Sequence, residues 1–190
     1  MKRYSLTIAI LYSLVFNVYS QWEDLNTGIN DDLTGVVFRG DTGLVSGHHG
    51  LYYTSTGGLG GASWTEYEVT GNAADSLIYE QTKFLNCFSS PDDSNHVYAC
   101  GQDTVNDQAV IFQLTMGSWV HELLYVGATG SYLEDINYSE FSSNYYAVGG
   151  NGLCVRFSTS TMGVEEPLGV SLDFTSISFD GSKVWIGTNN

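Results

Sequence analysis

The chain has 190 residues, with 21 Asp and Glu against six Lys and Arg, and a formal net charge of −15. That balance excludes nucleic-acid binding through cationic contacts to phosphate, and it excludes adsorption to anionic membrane surfaces. Hydrophobic residues make up 43% of the chain and aromatics 14%, so charge-driven disorder is not the default and a packed core is expected.

The first twenty residues read as a secretory leader. Lys2 and Arg3 form a positive start, Tyr4 to Phe16 form an uncharged apolar run, and Val18 and Ser20 occupy the last small-residue positions before a cleavage point at Gln21. The run is shorter than the roughly 20 residues that a membrane-spanning helix needs, so cleavage is expected rather than anchoring. No later stretch is long enough to span a membrane as a helix. Loss of the leader leaves four basic residues, Arg39, Lys83, Arg156 and Lys183, against the same 21 acidic ones, a net of −17 on residues 21–190.

Beyond residue 20 helical periodicity is nearly absent. Short β-branched and aromatic runs alternate with clusters of Gly, Asn, Asp and Ser, the pattern of many short antiparallel strands. Trp22-Glu23-Asp24-Leu25 resembles the last strand of a repeat whose first three are missing. A full repeat then opens with apolar residues at relative positions 0, 3 and 5, Leu33-Val36-Phe38. It continues through a Gly40–Gly43 turn to Leu44–Gly47, then Leu51–Thr54 and Trp64–Tyr67. The second copy runs Phe84-Cys87-Ser89 (the third position now polar), Val97–Gly101, Val110–Gln113 and Trp119–Glu122. The third runs Leu133-Ile136-Tyr138, Tyr146–Gly149, Leu153–Phe157 and Val164–Glu166. The fourth has Phe174-Ile177-Phe179 and Val184–Gly187.

Repeats starting near 33, 84, 133 and 174, each with four short strands, have the length and content of β-propeller blades. The expected fold is all-β: a propeller of about three and a half four-stranded blades over 21–190, a fragment of a larger ring with an open edge. A lone blade cannot bury both faces, whereas radial stacking buries them between neighbours. Three cysteines, Cys87, Cys100 and Cys154, leave at least one unpaired. Cys87 and Cys100 fall on adjacent strands, where a bridge is geometrically possible, but small buried hydrophobes are the preferred reading.

The stretch from Val36 to Gly58 (VVFRGDTGLVSGHHGLYYTSTGG), followed after a short insertion by Ser63-Trp64, resembles the repeat of photosystem II assembly/stability-factor-like propellers. These belong to the wider Asp-box, or bacterial neuraminidase repeat, group. In this chain Thr56 takes the Asp position of that box, the second copy keeps Thr115-Met116-Gly117-Ser118-Trp119, and the third keeps Thr161-Met162-Gly163. Lys183 to Asn189 (KVWIGTN) is similar to the repeat of two-component-regulator propellers. The resemblance implies a propeller fold. Its sialidase members hold a substrate carboxylate with three arginines, and residues 21–190 contain two, Arg39 and Arg156, so that role does not carry over. Nor does the arginine patch of the photosystem factors.

In a propeller, the loops leading into first strands and those joining second to third strands share one face. That face is expected to collect Asp31, Asp32, Asp75, Glu80 and Asp173 from the leading loops, and His48, His49, Asp103 and Asp107 from the others. The last four are the candidate ligand-binding residues, set against a plainer reading as a solvated acidic surface. Asp41, Asp92, Asp93, Glu140 and Asp180 make the opposite face acidic as well. No metal is expected: His48-His49 lacks further spaced ligands, and Asp103 to Asp107 lacks EF-hand spacing. Glu134-Asp135 and Glu165-Glu166 are chain neighbours, expected to point to opposite faces of a strand rather than to flank a scissile bond.

No nucleophile elbow, phosphate loop or dinucleotide fingerprint is present, so no catalytic residue and no cofactor are assigned. The expected function is that of an exported, non-catalytic propeller used for binding or scaffolding at or outside the cell surface. Its ligand would be a protein or glycan. Two alternatives stand beside it. One is part of an Asp-box-type glycoside hydrolase whose active residues lie outside this segment. The other, suggested by Trp185-Ile186-Gly187-Thr188, is the sensory propeller ectodomain of a signalling protein.

Overall fold

A computed structural model describes residues 28–58, 64–68, 73–89, 93–118 and 120–189. The leader at 1–20, the strand expected at 22–25, the Pro91-Asp92 turn and Trp119 lie outside the described residues. Three four-stranded antiparallel sheets follow one another, each with its strands in chain order. Blade 1 holds β1 (Leu33–Arg39), β2 (Thr42–Gly47), β3 (Leu51–Thr54) and β4 (Thr65–Glu66). Blade 2 holds β5 (Thr82–Phe88), β6 (His96–Asp103), β7 (Gln108–Thr115) and β8 (His121–Thr129). Blade 3 holds β9 (Leu133–Ser139), β10 (Asn144–Gly149), β11 (Cys154–Ser158) and β12 (Thr161–Glu165). A two-stranded sheet, β13 (Phe174–Asp180) and β14 (Lys183–Thr188), forms the described part of blade 4. Among the described residues no helix is long and apolar enough to cross a membrane.

A β-bulge produces the 0/3/5 spacing of the repeat. The register passes from Leu33↔Gly47 to Gly35↔Ser46 in blade 1 and from Phe84↔Gly101 to Asn86↔Cys100 in blade 2. It passes from Leu133↔Gly149 to Asp135↔Val148 in blade 3 and from Phe174↔Thr188 to Ser176↔Gly187 in blade 4. Each step sets two residues against one, so the side chain three positions on returns to the starting face. In blades 2 and 3 the bulged strand then comes so near its partner that only glycine fits opposite, whereas blade 4 has Thr188 opposite Phe174. A Cβ on Gly101 would lie 2.1 Å from the Lys83 carbonyl oxygen, and one on Gly149 would lie 1.9 Å from that of Tyr132.

The first strands of successive blades pack side by side, and a line of polar bonds crosses between them near the bulges. Thr34 Oγ1 donates to the Phe84 carbonyl (3.1 Å), Asn86 Nδ2 to Asp135 Oδ1 (2.6 Å) and the Ile177 N–H to Asp135 Oδ2 (2.7 Å). Asn137 Nδ2 donates to the Ile177 carbonyl (3.1 Å). The apolar positions lie between blades. Phe84 and Cys87 pack on Leu44, Leu51 and Tyr67 of blade 1; Leu133 and Ile136 pack on Tyr98 and Ile111 of blade 2; Phe174 and Ile177 pack on Val148 and Cys154 of blade 3. Each large side chain buried in this way contributes roughly 1.5–3 kcal/mol.

Helix α1 (Ala73–Glu80) departs from the all-strand expectation. Its eight residues make about two turns, too few for a periodic signal, and tertiary packing holds it. Tyr79 is buried between blades 1 and 2, where its oxygen accepts the Leu51 N–H (3.1 Å) and its ring meets those of Tyr67, Phe84 and Phe112. The three cysteines are free and buried. Register excludes the Cys87–Cys100 bridge: Cys87 stands opposite Ala99 and Cys100 opposite Asn86, one step apart. Cys87 therefore faces the core toward blade 1 and Cys100 the core toward blade 3.

Candidate functional site

The leading loops and the second-to-third-strand loops meet as the repeat implies. The His48 N–H donates to the Asp32 carbonyl, that of Gly150 to Tyr132 and that of Asn189 to Asp173, each at 3.2 Å and at matching places in blades 1, 3 and 4. In blade 1 the two histidines each take an aspartate. The Asp31 side chain is 1% exposed, and its carboxylate accepts the His49 N–H (2.9 Å), the Asp32 N–H (2.7 Å) and the Tyr52 hydroxyl (3.2 Å). His49 Nδ1 lies 2.8 Å from Asp31 Oδ1, while its ring is 83% exposed. An ionised carboxylate only accepts, so Nδ1 carries the proton in this pair. Burial pushes the Asp31 carboxyl up, but these donors outweigh it and hold the group below its ordinary value. Burial, with Asp31 and Glu66 adding to it, pushes the Tyr52 hydroxyl up to about 12. His48 Nδ1 stands 3.5 Å from Asp32 Oδ2.

Asp103 and Asp107 brace the β6–β7 hairpin. The buried Asp103 accepts the Val105 N–H (2.9 Å), the Asn106 N–H (3.1 Å) and Asn106 Nδ2 (2.7 Å). Asp107, at φ 55°, accepts Gln102 Nε2 (2.6 Å) and gives its carbonyl to the Gly130 N–H (2.6 Å). Among the described residues no hydrogen bond or ion pair joins the histidine pair to either aspartate. No group of three or more His, Cys, Asp and Glu among them is placed to hold a metal.

The same face carries a cavity of about 530 Å³ between blades 2 and 3, walled by 128–131, 150–154 and 165–167. Asn151, at φ 58°, sits in the 3-10 turn Gly150–Gly152. Its N–H donates to Asp173 Oδ1 (2.9 Å) and its Nδ2 to the Gly130 carbonyl (3.4 Å), which ties together the loops of three blades. Glu165 accepts the Tyr125 hydroxyl (2.6 Å), and Glu166 accepts Arg156 Nε (2.5 Å). The Glu166 bond and charge raise the Arg156 pKa. These chain neighbours do diverge toward separate partners, yet both border the cavity, because Glu166 lies just past the end of β12. The Gly149-Gly150-Asn151-Gly152 run was the available signal for this turn.

No protein-family model and no curated protein sequence matches the chain. Among solved structures it is similar to an ancestral GH74 enzyme (17% identity, TM-score 0.57, 90% of this chain and 23% of that one). It is also similar to the computationally designed Ika8 protein (12%, 0.55, 84% and 44%) and to a structural-genomics protein of unknown function from Bacteroides thetaiotaomicron (14%, 0.53, 77% and 36%). The chain thus spans less than half the length of each. The fold is a β-propeller.

Within this propeller the cavity offers polar recognition. Its two carboxylates share one wall, each already oriented by a donor. The Cys154 thiol at its edge is pushed up to about 11 by burial and by Glu166, which leaves little thiolate near neutral pH. A further cluster lies outside the expected candidates. Asp93 accepts the His96 N–H (3.1 Å), His96 Nδ1 (3.0 Å) and the Tyr98 hydroxyl (3.0 Å), and Tyr145 of blade 3 approaches at 3.5 Å. Burial raises its pKa, but these donors and the Asn95 N–H hold it below the ordinary value.

Proposed function

We propose that this chain is an exported, non-catalytic β-propeller segment that binds a protein or glycan at or outside the cell surface, through the loop-face cavity between blades 2 and 3. The observation that carries this reading is the cavity of about 530 Å³ whose walls Asn151 fixes to Gly130 and Asp173. Open concavities with a few convergent polar groups are where propeller-sized domains take ligands. The basic start and apolar run at residues 2–16 support export, and the strongly acidic composition disfavours nucleic acid as the ligand. A glycan array paired with a glycoside-hydrolysis assay tests the reading. Binding that weakens in Asn151→Ala and Glu165→Gln without turnover is the expected result. Turnover abolished by changing one carboxylate would instead establish the hydrolase alternative. Mass spectrometry of the secreted protein should find an N-terminus at Gln21, and one at Met1 would refute cleavage.

A further inference from the structure

The cavity between blades 2 and 3 has spent most of its hydrogen-bond donors on its own walls. The Ser131 hydroxyl donates to the Ala128 carbonyl (2.5 Å). The backbone N–H groups of Gly130, Gly150, Gly152 and Leu153 donate to the carbonyls of Asp107, Tyr132, Leu172 and Gly150, and that of Glu166 donates to Cys154. Asn151 gives its N–H to Asp173 and an amide hydrogen to the Gly130 carbonyl. Pro167 has no N–H to offer.

Acceptors remain. Glu165 Oε1 takes the Tyr125 hydroxyl and Glu166 Oε1 takes Arg156 Nε, while Oε2 of each has no hydrogen-bond partner among the described residues. An ionised carboxylate accepts at about four lone-pair sites, so each keeps spare capacity. Among the described residues no Lys, Arg or His lines the cavity. Negative charge extends around it. Asp173 meets Asn151, and Glu166 adds to the burial that pushes the Cys154 thiol up. Burial, with Asp173 and Glu134 adding to it, likewise raises the hydroxyl of Tyr132, whose ring lies against Gly150 of the wall.

The geometry points to a cationic occupant: the cavity receives a lysine or arginine side chain of a partner protein, whose N–H groups meet the free oxygens of Glu165 and Glu166. The assignment rests on the cavity being the propeller's binding site, and it narrows the ligand from protein or glycan to a basic protein surface. A concavity rich in acceptors and short of donors selects a ligand that brings donors, and a like-charged ligand would leave carboxylates unpaired and repelled. Pockets that enclose a small molecule are lined mainly by apolar and aromatic side chains, and here no aromatic ring lines the cavity, which favours a side chain reaching in over a stacked sugar ring. The net charge of −15 steers a basic partner toward the protein.

Fluorescence anisotropy with labelled glycine-rich peptides centred on lysine, arginine or norleucine, and with a labelled glucosamine trimer, tests this. The cationic peptides should bind more tightly than the norleucine peptide and weaken as salt rises. Glu165→Gln keeps an acceptor for Tyr125 but removes the charge, and should weaken them about tenfold. Asp180→Asn removes the same charge from the opposite face and should leave binding unchanged. Cationic-peptide binding that survives both Glu165→Gln and Glu166→Gln would overturn the assignment by placing the cation elsewhere on the acidic surface. Equal binding of the norleucine peptide, lost in Asn151→Ala, would overturn the cationic ligand and leave the cavity as the binding site. Tighter binding of the glucosamine trimer through the same carboxylates would overturn the protein source. Binding of no probe, together with an empty glycan array, would overturn both the assignment and the cavity it rests on.

Discussion

Val36 and Ile136 occupy the same place in two repeats, the same bulge precedes each, and the same face receives them, yet one is exposed and the other buried. Nothing local separates them. The difference is the neighbouring blade: among the described residues one lies behind Ile136 and none behind Val36. Hydrophobic stabilisation in a propeller is therefore a property of the junctions, as in other repeat proteins whose stability sums unit and interface contributions. Substitutions at equivalent sites should sort by junction rather than by residue type.

The widest separation should come from large-to-small changes. Ile136→Ala, in the filled junction between blades 2 and 3, should cost about 2–5 kcal/mol in denaturant unfolding. Val36→Ala, assayed in dilute protein, should stay within about 0.5 kcal/mol of wild type. Equal costs would break the comparison. Next come the glycines opposite the bulges. Gly149→Ala drives a Cβ against a backbone carbonyl, and the overpacking should cost about 1–3 kcal/mol. Gly187→Ala in blade 4, one position short of the Thr188 that faces Phe174, meets the Ser176 hydroxyl instead, a side chain that can turn away, so its melting temperature should change less.

The polar line between blades should respond third. Asp135→Ala strands Asn86 Nδ2 and the Ile177 N–H, and unsatisfied buried donors cost about 1–3 kcal/mol. Ser176→Ala, at the matching exposed place in blade 4, should be near neutral in the same melts. The gentlest effect is a pH dependence within the junction between blades 1 and 2. His121 is buried there with Nδ1 2.8 Å from the Tyr67 hydroxyl and Nε2 without a partner among the described residues. Burial lowers its pKa below the ordinary 6.5, and Asp75 on α1 opposes that only in part. The unfolded chain therefore binds the proton first. Stability should be fully present above pH 6.5 and decline as the pH falls from there toward the folded value. Thermal melts from pH 8 to 5 should show this decline, and His121→Phe should flatten it.

Fold class and strand order were legible in the sequence, because each blade rewrites one apolar spacing and one strand-and-turn rhythm. The cause of that spacing was not. A bulge is a relation between two strands, and the 0/3/5 pattern discloses it only once Gly101 and Gly149 are seen opposite. Helix α1 escaped notice because eight residues with two alanines and one buried tyrosine carry no period. At the loop face, His48 and His49 stand out in the sequence as a pair, but their partners Asp31 and Asp32 read there only as general acidity. Asp103 and Asp107 were read as possible ligand oxygens, whereas the structure shows their carboxylates bonded within their own hairpin. Glu165 and Glu166 were set aside on strand alternation, which ceases to apply where β12 ends.

By itself the sequence determined what each repeat would form, since strand alternation, turn glycines and apolar positions act over a few residues. It also determined an acidic chain whose residues 21–190 hold two arginines, too few for a three-arginine clamp. Tertiary structure alone decided which carboxylates meet donors, that Cys87 and Cys100 face opposite cores, and which copies of one motif are buried. Those outcomes depend on what packs against a residue from far along the chain, and local pattern is blind to it.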